Sequence, residues 1–234
     1  MPKFHLLNWH LNQAGLAQID RLTIGGGFQN RFLIKELSTS SGVLILPVLS
    51  SVFAFSVYQF GKTTFRQEKF ALAFARSLNS RLHIGIQFNY YLFFLVEENQ
   101  SIGNYGIEVG IQYQLTDQLL LGFHVLNPYK ISLQTISGEY PYPSRFNIGA
   151  SFHLSESFVF IIELQKDLLY PLNIKSGLEY IILDKLFIRT GISGKPYELS
   201  AGMGFAMKKL KIDLAVSYNQ YLGDTPSLSF QYQF

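Results

Sequence analysis

The chain of 234 residues contains no cysteine. A disulfide scaffold and any thiolate metal site are therefore excluded. Charge is also scarce: Asp, Glu, Lys and Arg make up 15% of the chain, against about 25% in typical soluble domains. The formal net charge is only +3, and the basic residues are scattered, which argues against a nucleic-acid partner. No Pro-, Gly- or Ser-rich linker and no shift of composition divides the chain, so one large domain is favoured over two small ones. Residues 1–18 lack a basic start followed by an apolar core. No signal peptide is visible, and for an exported protein the expectation is a mature or truncated form. Catalytic signatures are missing too. There is no Gly-x-Ser-x-Gly nucleophile elbow, no His-x-x-x-His pair and no acidic calcium loop, so neither an enzyme nor a cofactor is expected.

What the chain does have is aromatic side chains, at 15%, and 19 glycines. Mean hydropathy is a modest +0.16, as expected if half of every strand faces water. Alternation with a period of two runs almost end to end. Leu82, Ile84, Ile86, Phe88, Tyr90 and Leu92 alternate with His83, Gly85, Gln87, Asn89 and Tyr91. Leu210, Ile212, Leu214, Val216 and Tyr218 alternate with Lys211, Asp213, Ala215, Ser217 and Asn219. Fourteen candidate strands begin near residues 21, 42, 51, 67, 81, 104, 117, 144, 157, 172, 185, 196, 209 and 227. Each runs about nine to twelve residues, the span a tilted strand needs to cross a bilayer. Residues 43–60 are long and apolar enough to pass for a membrane helix. Pro47, the Ser50-Ser51 pair and the β-branched and aromatic content favour two strands with a tight turn. Gly25-Gly26-Gly27 is followed by neither a helix nor Lys-Ser/Thr, so it reads as a bulge or close backbone approach rather than a phosphate loop.

The links between strands alternate in length. Tight hairpins at residues 78–81, 115–118, 154–157, 183–186 and 207–210 are separated by longer links at 61–66, 96–104, 127–143, 166–171 and 194–196. Outer-membrane barrels have short periplasmic turns and longer external loops, and this parity is what such a barrel requires. The chain also ends on a strictly alternating strand, residues 228–234, with Phe230, Tyr232 and Phe234 at one parity. A closed barrel must set its last strand beside its first, because an open edge cannot exist in hydrocarbon. The expected fold class is all-β: a transmembrane, antiparallel, up-and-down barrel of about fourteen strands over residues 21–234, preceded by a short N-terminal segment, 1–20.

The polar parity carries Glu108, Arg145, Glu163, Lys175, Glu179, Arg189, Glu198, Lys211 and Asp213. From Arg145 onward the signs largely alternate between successive strands, which suits an ion-paired ladder lining the lumen. It is either a selectivity lining for an anionic or amphipathic solute or, as the favoured reading, a network that stiffens the interior. His83, His124 and His153 share this inward parity and read as hydrogen-bonded lumen residues. In the segment 127–143, Tyr129, Tyr140 and Tyr142 suit either anchors for a protein partner or a girdle at the membrane interface.

Several short motifs carry a family resemblance. Asn12-Gln13-Ala14-Gly15-Leu16-Ala17 resembles the Asn-Pro-Ala-Gly-Leu-Ala element of the PorV/PorQ group, within the FadL-like barrels of Bacteroidetes outer membranes. Phe28-Gln29-Asn30-Arg31-Phe32, Lys35-Glu36-Leu37-Ser38, Tyr58-Gln59-Phe60-Gly61, residues 78–85, and Leu121-Gly122 leading to Asn127-Pro128 are similar to further family sequences. The terminal aromatics Phe230, Tyr232 and Phe234 resemble the signal read by the bacterial barrel-assembly machinery. The resemblance implies fourteen strands and an outer-membrane location among lipopolysaccharide and phospholipid. It also implies a non-catalytic role as a partner-binding accessory of type IX-like secretion or outer-membrane assembly, with secretion-system or surface proteins as partners. The alternative is FadL-like passive transport of hydrophobic or amphipathic small molecules. In fatty-acid transporters the leading segment forms a hatch in the lumen. The segment here is too short for a full hatch, and the stretch around Trp9 is expected to form at most a small plug.

Overall fold

The computed structural model describes residues 12–95, 100–129, 131–135, 138–194 and 197–234. A 3-10 turn, Gln13–Gln18, precedes sixteen strands. They are β1 (Thr23–Asn30), β2 (Ser38–Val48), β3 (Ser51–Gly61), β4 (Phe65–Ser77), β5 (Leu82–Leu95), β6 (Gln100–Thr116), β7 (Leu119–Leu126) and β8 (Ile131–Thr135). The series continues with β9 (Gly138–Tyr142), β10 (Arg145–His153), β11 (Phe158–Asp167), β12 (Asn173–Ile182), β13 (Leu186–Ser193), β14 (Glu198–Met207), β15 (Leu210–Asn219) and β16 (Gly223–Gln233). Fourteen of them close into one antiparallel barrel in chain order, with β7 pairing β10 and β16 pairing β1. The expected strand count and closure are therefore found.

The orientation of the faces follows from exposure. On β15, Ile212, Leu214 and Val216 are 39%, 50% and 41% exposed, whereas Lys211 and Asp213 are each 7%. The same alternation holds on β3, where Phe53, Phe55 and Val57 are exposed while Val52, Ala54 and Ser56 are buried. Apolar side chains thus face out all round the wall. A monomeric soluble protein rarely exposes a contiguous apolar patch beyond a few hundred Å², so this surface belongs against hydrocarbon. Residues 43–60 form the expected hairpin, β2 and β3, around a two-residue turn at 49–50.

One expectation is corrected and another is narrowed to one of its two alternatives. The segment 127–143 is not simple loop: β8 and β9 pair within it from Ile131↔Tyr142 to Thr135↔Gly138. Five-residue strands hold too little alternation to register, and Pro141 and Pro143 mask the second of them. Gly25-Gly26-Gly27 forms no bulge, since β1 pairs without interruption to β16 and to β2. The register shift lies instead in β6, between Gln114 and Thr116. The glycines serve close approach: a Cβ on Gly26 would lie 3.0 Å from Phe230 Cε1. At this seam between the first and last strands β1 contributes no inward side chain at Gly25 and Gly27, which face Gln231 and Ser229.

The start of β1, the end of β16 and the turns at 49–50, 78–81, 117–118, 154–157, 183–185 and 208–209 share one end of the barrel. At the other end the connections 31–37 and 127–144 are long, but 62–64 and 220–222 are as short as the turns. The link from 96 to 104 shortens to 96–99 because Gln100–Gly103 continue the ladder with Leu92–Leu95. Two of these loops are stapled together, with Thr63 N–H donating to Glu36 Oε2 at 2.9 Å. That backbone hydrogen bond holds the Glu36 carboxyl below its ordinary range. A depressed carboxylate pKa means the staple is intact above the ordinary value and is lost as pH falls through the lowered one. The Thr63 amide resonance should therefore move upfield with an acid midpoint below that of a free glutamate, and in Glu36→Gln the movement should vanish.

Candidate functional site

The N-terminal turn sits inside the barrel at the turn end, and its seat is built from glycine. Asn12 caps the turn, its Oδ1 accepting from Ala14 N–H at 3.0 Å. Its Nδ2 donates to the carbonyls of Ile111 and Phe123 at 3.2 and 3.1 Å. Gln18 Nε2 donates to Gln112 Oε1 at 3.1 Å, and Ser77 Oγ donates to the Ala17 carbonyl at 3.3 Å. The neighbouring inward positions Gly85 and Gly110 face each other across β5 and β6. A Cβ on Gly85 would stand 2.5 Å from the Gln13 carbonyl carbon, and one on Gly110 would stand 2.1 Å from Asn12 Oδ1. Leu16 is fully buried against Val43, Ile45, Val52, Ala54, Ala73 and Ala75. The motif Asn12-Gln13-Ala14-Gly15-Leu16-Ala17 is therefore a wedge fitted to the inner wall of β2 to β7. Trp9, on which the plug expectation centred, lies outside the described residues.

Above the wedge is a buried polar knot. Glu108, only 3% exposed, accepts from Gln13 Nε2 at 2.7 Å, Gln87 Nε2 at 3.0 Å and Asn89 Nδ2 at 2.9 Å. Lys69 Nζ lies 3.5 Å from Glu108 Oε1, and His124 Nε2 lies 3.2 Å from Glu108 Oε2. One carboxylate thus joins the N-terminal turn to β4, β5 and β7. Polarity singles out Glu108 and His124 in the sequence, but not Gln13, Lys69, Gln87 or Asn89. Their signal is a polar residue at inward parity in an otherwise apolar or alanine-rich strand. The three inward histidines do not meet. His83 contacts Ser77 Oγ at 2.8 Å beside the wedge, and His153 lies at the turn end of β10. Among the described residues no three His, Asp or Glu side chains form a group that could hold a metal ion.

Toward the loop end the inner face becomes aromatic. Tyr91 and Phe93 are each 1% exposed. The Tyr142 ring lies 4.8 Å from that of Tyr91 and 5.6 Å from that of Phe93, with Phe65 6.4 Å beyond Phe93. The Tyr142 hydroxyl accepts from Gln67 Nε2 at 2.8 Å. Tyr142 is therefore turned into the barrel mouth. Tyr129 is 45% exposed, with its hydroxyl donating to the Tyr105 carbonyl at 3.3 Å. The side chain of Tyr140 lies outside the described residues.

The opposite wall, β10 to β16, carries the charge ladder. Lys175 Nζ donates to Glu163 Oε1 at 3.0 Å, and Arg145 lies 3.8 Å from Asp167. Arg189 reaches both Glu179 and Asp213, at 2.5 Å each. The second of these spans β14 above Gly204, where a Cβ would stand 2.2 Å from Asp213 Oδ1. Lys211 Nζ lies 4.6 Å from the centre of the Phe187 ring. Glu198 lies at the loop end of β14, opposite Ser193 and Asn219. Among the nine charges named from the sequence, Glu163 and Lys175 pair, and Glu179, Arg189 and Asp213 join. Glu108 belongs to the other wall, and Arg145 pairs with Asp167 instead. Phe230, Tyr232 and Phe234 are exposed on the outer face.

Between ladder and wedge the wall is bare. A Cβ on Gly149, Gly177 or Gly25 would meet only atoms of its own sheet neighbours, in contrast to Gly85 and Gly110. Inward Ser200, Ser217, Ser227 and Ser229 continue this surface toward the seam. The described residues thus fill one side of the lumen and leave the other lined by small side chains and paired charges.

The architecture is that of a closed outer-membrane-type β-barrel with a partly occupied interior. No protein-family model and no curated protein matches the chain. Solved structures do match: the toluene transporter TodX of Pseudomonas putida is 10% identical, over 98% of this chain and 94% of that one, with a TM-score of 0.76. A FadL homologue of Pseudomonas aeruginosa is 13% identical, over 97% and 94%, with a TM-score of 0.71. The toluene transporter TbuX of Ralstonia pickettii is 11% identical, over 99% and 94%, with a TM-score of 0.70. At these identities the likeness establishes the fold, that of FadL-type outer-membrane barrels. The resemblance to the PorV/PorQ group rests on the sequence motifs alone.

Proposed function

We propose that the chain is an integral outer-membrane barrel that passes small hydrophobic or amphipathic molecules through its lumen without chemical change. Its loops face outward, the turn end of the barrel with the end of β16 faces the periplasm, and Phe230, Tyr232 and Phe234 serve the barrel-assembly machinery. The observation that carries this reading is the asymmetric interior. A packed aromatic cluster of Tyr91, Phe93 and Tyr142 at the loop end stands over a wall of glycine and serine. Pockets that bind small apolar molecules combine such surfaces with a few polar groups, here Gln67 and the Arg189 cluster. The structural neighbours include toluene transporters, which supports the same choice of solute.

Liposomes loaded through the purified barrel provide the test. Uptake of a monoaromatic hydrocarbon should saturate, and Phe93→Ala should raise the half-saturation concentration about ten-fold, a loss of roughly 1.4 kcal/mol of binding. Arg189→Gln should alter the preference between anionic and neutral amphiphiles. Uptake no faster than through protein-free liposomes would sink the proposal. A partner-binding role in secretion or assembly ranks second. The motif Asn12–Ala17 that suggests it is engaged inside the barrel, and Tyr142 faces the lumen, which leaves Tyr129 as the described exposed anchor.

A further inference from the structure

A second site lies on the outside of the wall, at the turn end of β13 to β16. Phe205 and Met207 from β14, Leu210 from β15 and Tyr232 from β16 line an outward groove of about 660 Å³. Phe205, Met207 and Tyr232 are 46%, 53% and 38% exposed. The groove is closed at its rim by Lys185, Lys208 and Lys209, all exposed. Main-chain bonds set these lysines in place. Lys185 carbonyl accepts from Ala206 N–H at 2.8 Å, and Lys209 carbonyl accepts from Gln233 N–H at 2.8 Å. No acidic side chain lines the groove among the described residues, and the nearest in sequence is Asp184, beside Lys185 on the same turn.

The grouping is local. The other turns at this end hold Leu49 and Ser50, Arg81, Asp117, and Glu156, so three cations over an apolar groove occur in one sector of the rim. Solvation of lysine rims alone needs no groove, and an acyl chain alone needs no cations. A molecule with both an anionic head and a hydrocarbon tail uses both. We infer that this groove binds an anionic phospholipid of the adjoining leaflet, its phosphate at Lys185, Lys208 and Lys209 and its first acyl segment along Phe205, Met207, Leu210 and Tyr232. The assignment rests on the membrane reading given above and places the site in the periplasmic leaflet.

Phosphatidylglycerol and phosphatidylcholine, added to the detergent-solubilised barrel and counted by native mass spectrometry, test it. The unaltered protein should retain phosphatidylglycerol at least about ten-fold over phosphatidylcholine. A basic residue close to an anionic surface is worth about five-fold in affinity, so Lys209→Gln alone should lose about that factor. The triple variant Lys185→Gln/Lys208→Gln/Lys209→Gln should lose the preference altogether. Arg76→Gln/Arg81→Gln, at another sector of the same rim, should keep it. Equal retention of the two lipids by the unaltered protein, or an unchanged preference in both lysine variants, overturns the site. Heat-modifiable gel migration reports whether each variant is folded, and the single variant stands if the triple one does not fold. A chain that remains folded in buffer without detergent overturns the membrane reading instead, a result that lipid counting cannot mimic.

Discussion

Gly85→Ala should unseat the N-terminal wedge. The new methyl group would lie 2.5 Å from the Gln13 carbonyl carbon and 2.7 Å from the Ala14 nitrogen. Both are main-chain atoms, so no side-chain rotation relieves the clash, and either the turn or β5 must move. Overpacking of this kind costs about 1–3 kcal/mol. Loss of the seat also exposes Leu16 and releases the hydrogen bonds of Asn12 and Gln13. The folded barrel should lose heat resistance in detergent, read as a lower temperature of gel-mobility change, while its conductance in planar bilayers should rise. Gly122→Ala is the matched control. Its methyl would meet only Asn12 Nδ2, at 3.6 Å, an ordinary contact, and should change neither quantity. Identical behaviour of the two variants would show that the wedge is not seated as described.

Glu108→Ala should be the most destabilising single substitution of a charged residue in the lumen. It removes the acceptor for Gln13, Gln87 and Asn89 and leaves Lys69 and His124 facing an uncharged cavity. Breaking a buried pair from one side costs about 3–5 kcal/mol. The Lys69 side chain retains 18% exposure, which lets water recover part of that and places the expectation at the lower end of the range. Removing the stranded cation as well should restore stability, so Glu108→Ala/Lys69→Met should unfold later than Glu108→Ala alone. Unfolding in urea, followed by tryptophan-independent far-ultraviolet circular dichroism, gives the comparison. Additive losses in the double variant would show that the two residues are not coupled.

The barrel was largely legible in the sequence because its physics is periodic. Each wall strand announces itself by apolar residues at every second position, as in β5 and β15, and the onset of each lies within a few residues of the expected place. The local devices were not legible. The β8–β9 hairpin is too short for alternation to stand out, and its prolines disguise it. Gln67, Lys69 and Phe93 matter through partners on other strands, and register alone brings those partners together. Glycine shows the same divide. Gly25, Gly85, Gly110 and Gly204 look alike along the chain, yet one lightens the seam, two cradle the wedge and one lets Arg189 reach Asp213. Only the third dimension tells them apart. The ladder was anticipated as strand-to-strand alternation, but the actual pairing skips β14, since Gly204 offers no charge.

The meeting of β1 with β16 has a consequence for how the molecule is made. Three successive glycines supply no side chains with which to recognise a neighbour, and glycine-rich strands specify their alignment weakly. Alignment of the final zip therefore falls to the outward pairs Ile24–Tyr232 and Phe28–Leu228 and to the benzyl group of Phe230, resting on the bare backbone of Gly26. A nascent wall that slipped by two residues would keep its main-chain bonds yet strand that ring against a bulkier neighbour. The ring of Phe230 over Gly26 thus leaves the closing pair of strands a single alignment in which every side chain has room.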